Sequence, residues 1–145
     1  MTNDTDRVEH LKMIQEVIKR VADNSAQIKR WTIVVLTAAI ALSASEGMGF
    51  AILLCIFPCV MLWWMDSYYL TQEKQYRLLF DDVRFGVKTD FDMCSTGYRK
   101  ELPRRFGSVE LGTMLTVSES RFYVSLILIL VVVGVVCIIR YCIAP

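Results

Sequence analysis

WTIVVLTAAIALSAS (residues 31–45) and GMGFAILLCIFPCVMLWWM (residues 47–65) contain no charged side chain, and only Glu46 with its small neighbours parts them. Two apolar runs joined this closely predict an antiparallel helical hairpin in a bilayer. At 1.5 Å per residue the halves span roughly 22 and 28 Å, so the first is short against a hydrocarbon core of about 30 Å. Lys29 and Arg30 are expected to extend it by snorkelling. Trp31, Trp63 and Trp64 gather at the shared open end, where an interfacial aromatic belt belongs.

A third uncharged run, FYVSLILILVVVGVVCII (residues 122–139), is bounded by Arg121 and Arg140 and is long enough to span with little tilt. Composition agrees: of 145 residues, 54% are hydrophobic and 21% charged, too apolar for an ordinary soluble domain of this size. A separate soluble enzyme domain is not expected. The 16 basic and 15 acidic residues nearly cancel, so direct nucleic-acid binding is not expected. No signal peptide is expected, because the first 30 residues are polar and the first apolar run begins late.

Charge placement gives a topology. Residues 1–30 carry six Lys or Arg and residues 66–121 carry nine, whereas the hairpin tip carries none, so both polar segments are expected in the cytoplasm. The predicted organisation is a cytoplasmic amphipathic helix (1–30), a transmembrane hairpin (31–65), a cytoplasmic helix with a small extended module (66–121), a third transmembrane helix (122–139) and a short outer tail (140–145). The fold class is thus a mainly α membrane protein of three spans with a small β-like insert.

Before the first run, Leu11, Ile14, Ile18, Val21, Ser25 and Ile28 recur at steps of three and four, a heptad seam on a helix starting near Arg7. After the second, Tyr69, Gln72, Tyr76, Leu79 and Val83 repeat the alternation, with Glu73 and Arg77 as an i, i+4 pair. These seams either zip the two arms together or form oligomer contacts. Pro58 is placed to kink the second span. Between Phe85 and Ser120 the helical period gives way to alternation at Val87, Thr89, Phe91 and Met93, which predicts a strand, with a second at residues 109–117.

No chemistry-bearing motif stands out. His10, the single histidine, reads as a solvated helix-face residue with no nucleophile at a recognisable spacing. The adjacent Asp81 and Asp82 point in different directions on a helix. The five cysteines lack zinc-site spacing, and no phosphate-cradling glycine loop exists, so no catalytic residue, metal or cofactor is expected. The densest charge cluster is Arg99, Lys100, Arg104 and Arg105, flanked by Tyr98 and Phe106. It is either a topogenic signal or an anion site, for a phospholipid headgroup or a nucleotide.

The arm Glu9-His10-Leu11-Lys12-Met13-Ile14-Gln15, the tight hairpin, Asp66-Ser67-Tyr68-Tyr69-Leu70 and the run from Tyr76 to Arg84 together resemble small bacterial membrane proteins of the SLATT type, over about residues 7–90. The resemblance is one of architecture and helix texture; the third span after an insert departs from the simplest two-span plan. It implies an oligomeric inner-membrane effector of an anti-phage system, encoded beside nucleotide-signalling or other defence proteins, acting by pore formation and controlled through its cytoplasmic part. A signalling nucleotide or a cytoplasmic protein would then be a partner, besides the bilayer and further copies of the chain. The other reading is a passive anchor that recruits a cytoplasmic protein.

Overall fold

A computed structural model describes residues 2–46, 55–88, 90–104 and 108–143. The protein is mainly helical: α1 is Thr2–Glu46, α2 Ile56–Arg84, a 3-10 turn covers Thr96–Lys100, α3 is Val109–Met114 and α4 Val117–Ile143. The hairpin tip falls outside the described residues.

No glycine or proline interrupts α1, so the amphipathic arm and the first apolar run form one 45-residue helix, beginning at Thr2 rather than near Arg7. In α2, Pro58 lies in the first turn, where a missing N–H costs nothing; residues 47–54 of the same apolar run, which a kink at Pro58 would involve, lie outside the described residues. Gly86 stops α2. Its φ of +74° lets Val87 N–H reach the Asp82 carbonyl at 2.9 Å and Gly86 N–H the Val83 carbonyl at 3.2 Å, closing the last turn.

The chain divides into two compact units. The first comprises residues 1–26 and 67–113. Its core is Ile14, Leu79 and Val83, with Leu11, Ile18, Tyr76, Phe80, Met93 and Tyr98 packed around them. Most of the predicted seam therefore zips one arm onto the other within the chain. Val21 is also buried, whereas Tyr69 is half-buried and makes an edge contact with Tyr68. In the part of α2 that belongs to this unit the buried positions are Ser67, Thr71, Gln75, Leu79 and Val83, every fourth residue, and the first three are polar.

The predicted β-like insert is not formed: among the described residues there is no β-strand. Residues 109–114, expected extended, are helical, with Ser108 accepting from Gly112 N–H and Glu110 in the first turn, where a carboxylate suits the helix dipole. Near residue 92 an Asx turn replaces the strand, because the Asp92 carboxylate takes the Cys94 N–H at 2.9 Å. Alternation over a few residues cannot make a strand without a neighbouring strand to supply the ladder.

The second unit comprises residues 27–66 and 114–145. Leu36 from α1, Cys59 and Trp63 from α2, and Tyr123 and Leu130 from α4 form its buried cluster, with Trp63 stacked on Tyr123 at 5.4 Å. Ile28 is buried in this unit. One helix among the described residues is long and apolar enough to cross a membrane, Glu119–Arg140, and only 17% of its apolar window is buried.

Candidate functional site

The apolar core of the second unit contains a charged node. Each helix contributes: Lys29 from α1, Asp66 from α2, and Glu119 with Tyr123 from α4. Lys29 Nζ lies 2.7 Å from Asp66 Oδ2 and 3.2 Å from Glu119 Oε2, and Tyr123 donates its hydroxyl to Asp66 Oδ2 at 2.9 Å. Asp66 and Tyr123 are fully buried and Glu119 nearly so. Beside them Thr32, also buried, returns its hydroxyl to the Ile28 carbonyl. Lys29, expected to snorkel, is instead turned inward onto a carboxylate, because Asp66 would otherwise be a buried charge without a counter-ion. Such a node fixes the register of three helices.

The first unit holds the polar surfaces. A cleft of about 250 Å³ is lined by Tyr68, Thr71, Gln72, Gln75 and Tyr76 on one face of α2, by Ser95, Thr96 and Arg99 at the 3-10 turn, and by Glu110. Thr71 donates to the Ser67 carbonyl at 2.8 Å and shares a 3.0 Å hydrogen bond with the Thr113 hydroxyl, while Gln72 donates to the Tyr68 hydroxyl at 2.7 Å. Arg99 pairs with Glu110, whose second oxygen accepts from Ser108 at 2.6 Å. Burial alone would raise the Glu110 carboxyl, but the Ser108 hydroxyl, a backbone N–H and Arg99 together hold it below its ordinary range.

The proposed anion cluster is only partly assembled. Arg99 is committed to Glu110, Lys100 and Arg104 are exposed, and Arg105 and Phe106 lie outside the described residues. Tyr98 does not flank the cluster as a free stacking ring. It packs on the core and donates its hydroxyl to Asp82 at 2.6 Å, and burial followed by that carboxylate pushes its hydroxyl up to about 12.

His10 corrects the sequence reading. It is 2% exposed, not solvated, and its ring stacks on Phe91 at 5.1 Å. It lines a cavity of about 330 Å³ with Arg7, Lys88 and Phe91 among its neighbours, and its Nε2 has no hydrogen-bond partner among the described residues. The signal was available: His10 stands four residues before Ile14, on the same helical stripe. Cys94 is the exposed thiol among the described cysteines; the Thr96 hydroxyl and backbone hold it below the ordinary thiol range.

No group of three or more metal-ligating side chains occurs among the described residues. No family model matches this chain, and neither does any curated protein or solved structure.

Proposed function

We propose that the chain is a three-span bacterial inner-membrane protein, N-terminus in and C-terminus out, that assembles as a homo-oligomer and perturbs the membrane as a defence effector under control of its cytoplasmic part. The observation that carries the membrane reading is the surface of α4. Val124, Leu128, Val132, Val135, Val136 and Ile139 on this helix are each 46–62% exposed. A contiguous apolar surface of that length is a large cost in water and none in lipid. The uncharged runs 31–45 and 47–65, and the excess of Lys and Arg on the segments flanking them, support the other two spans.

The charged node gives the effector reading a closed state. An ion pair whose carboxylates are buried holds three helices in one register, and separating them exposes those carboxylates to water, which solvates their charges and favours the opened form. Triggered expression with the neighbouring genes should then release a preloaded dye and collapse the membrane potential. Intact potential under those conditions would end the effector reading.

A passive anchor is the second reading, and one observation favours it. Phe85 and Val87 are 72% and 75% exposed just beyond α2, with Phe91 also exposed, an apolar patch suited to a protein partner. Co-purification separates the two readings, since an anchor brings down a stoichiometric partner and an effector runs with copies of itself.

A further inference from the structure

We infer that the polar cleft between α2 and the 3-10 turn binds a small, neutral, planar molecule with adjacent hydrogen-bond donors and acceptors, the chemistry of a nucleobase. Gln75 is 5% exposed and lines the cleft, yet none of the described residues donates to or accepts from its amide. Ser95 lies opposite on the 3-10 turn, 8% exposed, and its hydroxyl makes no capping bond. Both groups line the cleft rather than being sealed in the core, so their hydrogen-bonding capacity is open to a ligand. A glutamine amide presents a donor and an acceptor side by side, the pattern that pairs bidentately with a base edge.

Charge argues for a neutral ligand. Among the described residues Arg99 is the one cation on the wall, and Glu110 neutralises it, so a phosphate entering the cleft would have to displace a carboxylate already held by Ser108 as well. Size argues for a small one. At about 250 Å³ the cleft lies just below the roughly 300–1,000 Å³ of sites that take drug-sized ligands, which suits a base or nucleoside and not a dinucleotide. Tyr68 and Tyr76 line the cleft two helical turns apart on α2, so each supplies an aromatic wall at its own end of the face. This inference does not depend on membrane perturbation, because binding is measured on the purified full chain.

The test is calorimetric titration of the detergent-solubilised full-length protein with adenosine, guanosine, cytidine and uridine, with the corresponding monophosphates and with inorganic phosphate. Saturable binding of at least one nucleoside is expected, with its monophosphate no tighter and phosphate alone silent. Gln75→Ala should weaken it at least tenfold, and Ser95→Ala, at the wall and away from the helix seam, should weaken it about threefold in a protein that still folds. Binding unchanged in both variants would overturn the inference. So would heats of dilution alone with every nucleoside, the result for a cleft filled only by water. Phosphate competing with the nucleoside would overturn its neutral character.

Discussion

Asp66→Ala is the sharpest perturbation of the second unit. The carboxylate is fully buried, and its contacts include Lys29 at 2.7 Å and the Tyr123 hydroxyl at 2.9 Å. Breaking a buried ion pair typically costs about 3–5 kcal/mol, most of it from the stranded partner. Here the stranded partner is relieved: the Lys29 side chain is 28% exposed and keeps Glu119 at 3.2 Å. The ionic part therefore falls to about 2 kcal/mol, and the orphaned Tyr123 hydroxyl adds about 1 kcal/mol. A loss of about 3 kcal/mol is expected, more than a hundredfold in the unfolding equilibrium. Unfolding in mixed micelles, followed by tryptophan fluorescence with Trp63 stacked on Tyr123 as reporter, measures it. A double-mutant cycle with Tyr123→Phe should show coupling of about 1 kcal/mol. Destabilisation under about 0.5 kcal/mol, or strict additivity in the cycle, would refute the node as a structural lock.

Val21→Asp places a charge at a position 6% exposed and should cost several kcal/mol, so folded protein should be lost from membranes on size-exclusion analysis; an unchanged profile would show that the position faces solvent. Among the described cysteines, Cys94 should be alkylated first by iodoacetamide at neutral pH, well ahead of buried Cys59, with labelling located by peptide mass spectrometry. Because the folded Glu110 carboxyl is held below its ordinary range, its contribution to stability is present at neutral pH and lost on acidification through the lowered value; Glu110→Gln should flatten the acid limb of the stability curve. At the basic cluster, Arg99→Ala should impair the first unit, since it strands the buried Glu110 carboxylate without its cation. Arg104→Lys should be silent if Arg104 serves only topology, as membrane abundance and activity would report.

The sequence reveals the helices and their seams for a physical reason. Apolar spacing at Ile14, Leu79 and Val83 reports burial directly, since a helix repeats its inward face every three or four residues. The node is hidden in the same pattern. Lys29, Asp66 and Glu119 each stand at the edge of an apolar run, where a charge ordinarily marks the end of a span. Only packing brings them together, across 57 residues in the case of Asp66 and Tyr123. Gln75 and Thr71 were missed likewise, because polar residues interrupt an apolar seam without revealing that they continue its buried stripe. The false strand at residues 109–117 has the opposite cause: short-range alternation was legible, but the Ser108 and Glu110 contacts that favour a helix outweighed it.

Reporter fusions active only outside the cytoplasm test the three-span arrangement most directly. Fusions at Met1 and after Gly97 should be silent, and those after Glu46 and at Pro145 active, because α4 has to carry the chain across once more. An inactive Pro145 fusion alongside an active Glu46 fusion would mean that α4 does not cross; a silent Glu46 fusion would remove the hairpin from the membrane altogether.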